Sequence, residues 1–132
     1  MNIRNGLDDF EAALAHESIM RLYFDFAITF VTSSGGELRI GNNFSVSLPE
    51  SPAVNVDPEA PGTAAHAVLA LLHQELASVA LDESGRLAMT FASGASVAVG
   101  SDEQYEAWTY AGAHDGVKII CLPGGGLTTF GL

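Results

Sequence analysis

In Leu22-Tyr-Phe-Asp-Phe-Ala-Ile-Thr-Phe-Val31, apolar side chains recur at every second position: Leu22, Phe24, Phe26, Ile28 and Phe30 share one face, Tyr23, Asp25, Ala27, Thr29 and Val31 the other. A period of two is that of an extended chain, and one apolar face predicts a half-buried strand over 22–31. Downstream, Ser33-Ser34-Gly35-Gly36 is turn chemistry, Leu38 and Ile40 alternate with Arg39, and Phe44, Val46 and Leu48 alternate beyond the break Gly41-Asn42-Asn43. The pattern is that of a β-meander. It returns in the second half, with Val79 and Leu81, a turn at Glu83-Ser84-Gly85, then Leu87, Met89 and Phe91, a turn at Ser93-Gly94, and Val97 and Val99. Ile28-Thr-Phe30, a glycine turn and Leu38-Arg-Ile40 match Met89-Thr-Phe91, a glycine turn and Val97-Ala-Val99, which predicts an approximate internal repeat of about 22–48 and 79–100.

Between the meanders, residues 49–61 hold four of the five prolines and three acids; with few backbone donors to offer a sheet, they predict an acidic surface loop. Thr63 opens a segment in which Val68, Leu69, Leu72 and Leu76 fall at helical spacing, with Thr63 as N-cap. A second helix is expected over Leu7 to His16, with Leu7, Phe10 and Leu14 on one face and Asp8, Asp9 and Glu11 near the positive end of its dipole. Near the C-terminus, 106–130 reads as a hairpin: Asp115-Gly116 suits a type I′ turn. Trp108 and Tyr110 then share a face with Val117, Ile119 and Cys121, and Pro123-Gly-Gly-Gly126 leads into a short last strand. The fold expected is α+β and mostly β: duplicated antiparallel β-meanders with one or two short helices in a single domain, 1–132.

Composition narrows the function classes. Of 132 residues, 48% are apolar and 16% charged, a balance that excludes intrinsic disorder. Five basic residues face sixteen acidic ones, and a net charge of −11 repels both phosphate backbones and anionic membrane surfaces. Nucleic-acid and membrane partners are therefore not expected. Cys121 is the lone cysteine, so no internal disulfide is expected, and an N-terminus without a long apolar run reads as cytoplasmic.

No arrangement of residue types specifies catalysis, and the chain is read as no enzyme, without cofactor or metal. His66 and His73 stand two helical turns apart, about 10 Å at 1.5 Å rise per residue, too far to share an ion, and His16 lacks a partner. Cys121 and His114 invite a nucleophile–base reading, but a hairpin tip and the returning strand place them roughly 20 Å apart at 3.3 Å per residue. Cys121 reads instead as a buried hydrophobe. Ser33, Ser34 and Ser93 lack a nucleophile elbow. Pro123 to Gly126 offers a nest for an anion, though no helix follows it, and a strand-connecting turn is the simpler reading. Asp25, interrupting the apolar strand, is expected to be exposed. Trp108 is expected in the core, yet Tyr105, Trp108, Tyr110 and Asp25 form the candidate interaction surface, because Tyr and Trp dominate interface hot spots.

Tyr105-Glu-Ala-Trp108, Gly112, Ile120-Cys-Leu-Pro-Gly-Gly-Gly-Leu127 and the closing Phe130 resemble the C-terminal signature of a family of small uncharacterised actinobacterial proteins. That signature ends in Trp, where this chain has Phe130. The resemblance covers roughly the last fifty residues. It implies no established activity, and an immunity-like role is sometimes proposed for such proteins. With the −11 charge, the expected function is that of a non-catalytic module binding a basic protein, and pairing of an edge strand makes a homodimer a further expectation. The alternative is a small-molecule carrier whose pocket wall includes Trp108 and Tyr110.

Overall fold

The computed structural model describes residues 3–132. Helix α1 (Ile3–Leu14) leads into β1 (Ile19–Phe24), β2 (Ile28–Thr32) and β3 (Glu37–Ile40); the chain then crosses to a second layer as β4 (Phe44–Ser47) and β5 (Val54–Val56). After a 3-10 turn (Gly62–Ala64) and α2 (Ala65–Leu69), the second half repeats the plan. β6 (Leu76–Leu81), β7 (Leu87–Phe91) and β8 (Ser96–Val99) form a meander, and the chain crosses back as β9 (Trp108–Ala111), β10 (Lys118–Cys121) and β11 (Leu127–Phe130). The fold is α+β and mostly β. One sheet runs β1-β2-β3-β9-β10-β11, the other β5-β4-β8-β7-β6, all antiparallel. Each meander is thus extended by strands from the other half, the first by β9 to β11 and the second by β4 and β5.

Alternation decides what lies between the sheets. Rungs such as Leu22–Phe30–Leu38–Tyr110–Ile119 and Val54–Val46–Val97–Met89–Val79 turn their apolar side chains into one shared core. Leu7, Phe10 and Leu14 add the apolar stripe of α1 to that core, and the Phe10 ring meets Tyr110 edge-on at 4.9 Å.

The segment read as one strand over 22–31 is a hairpin. The chain reverses at Asp25-Phe26-Ala27, where the Asp25 N–H donates to the Ala27 carbonyl at 2.9 Å and Phe26 takes φ 68°. A reversal centred on Phe26 sets Phe24 opposite Ile28 and Leu22 opposite Phe30, so residues of equal parity stay on one face and the alternation runs through the turn unbroken. Phe26 itself is 80% exposed.

Four backbone bonds tie the halves together reciprocally. The His16 N–H donates to the Leu76 carbonyl (2.7 Å) and that of His73 to Ile19 (2.6 Å), while Leu76 donates to Glu17 (2.8 Å) and Ile19 to Gln74 (3.0 Å). His16 and His73 both hold positive φ, 75° and 69°, ending each helical segment as a left-handed residue does. Both following strands carry an irregularity at the same point, after Ile19 and after Leu76. The ladders put Phe30 opposite Leu22 as Met89 is opposite Val79, so the counterpart of Ile28-Thr-Phe30 is Leu87-Ala-Met89, two residues before the triplet matched by sequence.

Other local expectations shift. α1 begins at Ile3, so Asp8, Asp9 and Glu11 sit mid-helix rather than at its positive end, and His16 lies beyond it. Thr63 caps nothing: the expected helix from Thr63 is a 3-10 turn and five α-helical residues, because Leu76 belongs to β6. Val68 and Leu71 face the core while Leu69 and Leu72 are exposed. The Pro-rich loop 49–61 contributes β5, paired to β4 through Val54, Asn55 and Val56. The C-terminal hairpin closes with Gly112 N–H on the Val117 carbonyl (2.8 Å), a four-residue loop in which Gly116 but not Asp115 has positive φ, so the turn is not type I′.

Candidate interface at the acidic end

The outermost rungs, Phe24–Ile28–Ile40–Trp108 in one sheet and Leu81–Leu87–Val99 in the other, define one end of the molecule. Five loops meet there: 25–27, 41–43, 57–61, 82–86 and 100–107, joined by the glycine turn 122–126. Loops 41–43, 82–86 and 100–107 and the glycine turn are bonded to one another. The Trp108 indole N–H donates to the Gly85 carbonyl at 2.8 Å, with the Cys121 thiol 3.5 Å from the same oxygen. Gly126 donates to Ser84 (2.8 Å) and Gly124 to Asp102 (2.7 Å); Gly41 and Asn42 share the Ala107 carbonyl (2.9 and 3.2 Å). With Gly125 N–H on Leu122 (3.0 Å), all three glycine N–H groups of the turn are satisfied by carbonyls, which leaves no nest for an anion.

Upon this braced base sit Asp25, Asp57, Glu59, Asp82, Glu83, Asp102, Glu103 and Glu106, with Arg86 as the cation of these loops. Eight carboxylates against one guanidinium put a net −7 at one end of a −11 chain. All but the half-buried Asp102 are exposed. Two aromatic rings rise from the same surface, Phe26 (80% exposed) and Tyr105 (67% exposed). The Tyr105 loop is held from below, since the Asp102 carboxylate accepts the N–H groups of Gln104 (2.8 Å) and Tyr105 (3.1 Å). An open cleft of about 530 Å³ at this end is lined by Gly41, Asn42, Asn43, Asp57, Glu59, Asp102 and Tyr105. Exposed aromatics with clustered charge are the composition of an interaction surface rather than of a solvated one.

The residues singled out from sequence divide. Tyr105 and Asp25 are on this surface, Asp25 paired with Arg39 at 2.9 Å. Trp108 and Tyr110 are not: at 1% and 6% exposure both are core residues, Trp108 bonded to Gly85 and Tyr110 edge-on to Phe10. Burial pushes the Cys121 thiol up, keeping it protonated, and Cys121 is 0% exposed, a buried hydrophobe as read from sequence. His114 lies exposed in the hairpin loop. Phe26 was the missed member, since unbroken alternation assigns it to the inner face; Asp25 beside it was the one available signal.

Two carboxylates outside the usual range make stability depend on pH. Asp82 is held low by the Ser84 hydroxyl, against a smaller opposing effect of burial, with further help from the N–H groups of Arg86 and Ser84. For Glu17, burial acts upward but is outweighed by the Ser34 N–H and the hydroxyls of Ser34, Thr32 and Ser33. A carboxyl lowered in the folded state stabilises it above the unfolded value, about 4, and loses that contribution as pH falls through the folded value. Urea midpoints are therefore expected to drop between pH 5 and 2, and Glu17→Gln to reduce that drop while lowering stability at pH 7. An unchanged acid slope in Glu17→Gln would refute the assignment.

The model of a family of unknown function, DUF6188, matches residues 10–131. The chain belongs to the DUF6188 family. The match takes in every strand of both sheets, so the paired meanders and the acidic end lie within the part that defines DUF6188. No curated protein and no solved structure matched the chain. Among the described residues no helix is long and apolar enough to cross a membrane, and no group of His, Cys, Asp and Glu side chains is placed to hold a metal ion.

Proposed function

We propose that this DUF6188 protein is a non-catalytic binding module that receives a basic protein on its acidic end. The observation that carries the reading is the pair of exposed rings, Phe26 and Tyr105, at an end of the molecule that holds eight carboxylates, with the Tyr105 loop fixed by the Asp102 carboxylate. Exposed aromatics supply contact energy, and a field of one sign raises the association rate of an oppositely charged partner. Occlusion of a basic toxin, as in the immunity-like role sometimes proposed for small proteins of this sort, is one form such binding takes. The lone buried thiol accords with work in the reducing cytoplasm.

The carrier alternative lacks the pocket it calls for at Trp108 and Tyr110. Trp108 is buried, and the cavity between α1 and the C-terminal hairpin that includes Phe10 and Tyr110 measures about 240 Å³, below the roughly 300 Å³ at which small-molecule pockets begin.

Tagged protein recovered from its native host after a moderate-salt wash is expected to retain a near-stoichiometric basic protein. Tyr105→Ser is expected to weaken that complex by about 30-fold, the size of a hot-spot loss, with Tm unchanged because the side chain is exposed. Retention of the same partner by Tyr105→Ser and Phe26→Ser alike would sink the proposal.

A further inference from the structure

We infer that the free edge of β1 is an interface with a second copy of this chain, paired antiparallel about Leu22. Equivalent edges in the two halves are treated differently. Along β6, α1 supplies a cap: the Glu11 carboxylate accepts the Leu81 N–H at 2.6 Å and the Arg4 guanidinium donates to the Leu81 carbonyl at 2.7 Å. Phe24 occupies the corresponding place in β1, opposite Ile28 as Leu81 is opposite Leu87. There α2, five residues long and packed on β4, offers no counterpart among the described residues. Among the described residues, backbone bonds close this edge at Ile19 alone, through His73 and Gln74. Met20 to Phe24 is left as an end strand whose backbone faces outward, with Met20, Tyr23 and Phe24 between 41% and 47% exposed. Unpaired edges of this kind invite a further strand.

Charge selects the occupant. In a chain of net charge −11, two copies repel except where acids are absent, and Ile19–Phe24 contains none, its one charge being Arg21. On the adjoining outer face of this sheet Arg21 stands on the edge strand itself, and Arg39, paired with Asp25, lies two strands in on β3, with Glu37 the one acid of β1 to β3 on that face. Pairing centred on Leu22 overlaps the whole free segment: Met20 meets Phe24 of the partner copy, and Arg21 lies over Tyr23, twice by symmetry, a cation–π arrangement. Antiparallel strands also point the two acidic ends in opposite directions, separating the like charges and leaving both ends open. The surface is distinct from the one assigned to the basic partner, so each proposal stands or falls alone.

The test is molar mass by light scattering from 1 to 200 µM, on the purified chain and on Tyr23→Lys and Phe130→Lys, the latter at the opposite edge of the same sheet. Expected is a mass rising toward twice 13.8 kDa, with association weakened at least tenfold in Tyr23→Lys and unaffected in Phe130→Lys. A monomer at every concentration overturns the inference, as does a dimer broken by Phe130→Lys and indifferent to Tyr23→Lys. Circular dichroism confirms that each variant is folded; should Tyr23→Lys fail, Met20→Lys probes the same edge.

Discussion

Gly85→Ala is expected to destabilise the protein by about 2 to 5 kcal/mol, summing the cost of a side chain in left-handed backbone and of overpacking. Gly85 holds φ +99°, and a β-carbon there would lie 2.7 Å from the Cys121 sulfur and 3.3 Å from the Gly126 carbonyl. Neither neighbour can yield: Cys121 is buried and paired strands flank it, while the 122–126 turn is fixed by Ser84 and Asp102. A urea midpoint in Gly85→Ala equal to that of the parent would show that the two turns are not locked as described. Gly94, with a similar φ of +96° but its nearest neighbour at 3.8 Å, is the control, and Gly94→Ala is expected to show the backbone cost alone, about 1 to 2 kcal/mol.

Trp108→Ala is expected to cost about 3 to 5 kcal/mol, the range for truncating a large buried aromatic. Its ring is 1% exposed, on the rung that meets Ile40 and beside the inner face of the other sheet's turn, and its N–H satisfies the Gly85 carbonyl. Because Trp108 is the sole tryptophan, circular dichroism rather than fluorescence follows the unfolding. Trp108→Phe should recover most of the packing but leave the Gly85 carbonyl with the weak Cys121 thiol donor alone, a residual loss of about 1 kcal/mol. Equal stability of Trp108→Phe and the parent would contradict a structural role for the indole N–H. Trp108 and Gly85 share one bond, so their substitutions are expected to be less than additive.

Strand content was legible because both meanders bury one face, and Val79, Leu81, Leu87, Met89, Phe91, Val97 and Val99 all fall where alternation put them. The face shared by Trp108, Tyr110, Ile119 and Cys121 was legible for the same reason. The turn at Phe26 was not, since a reversal with an odd number of loop residues preserves the period of two and Phe26 carries no turn preference of its own. β5 was hidden by its prolines, which flank the strand without entering it. Helix lengths failed where strand pairing competed: Leu76 fits a helical stripe, but its N–H and carbonyl are taken by Glu17 and His16. The acidic end was legible only as composition. Its carboxylates come from four separate loops, and their convergence depends on the crossing of β4 and β9 between layers, which no local pattern encodes.

That crossing has a kinetic consequence. β3 finds its neighbour in β9, some seventy residues later, and β4 finds its neighbour in β8, about fifty residues later. Long loops must close before either sheet acquires its central contact, which slows folding relative to a pair of independent meanders. During synthesis the first meander emerges with the inner edge of β3 unmatched and waits for nearly the whole chain. The interlocked halves therefore fold as one cooperative unit late in translation, and a chain cut within the 57–61 loop is expected to yield two fragments that fold only on recombination.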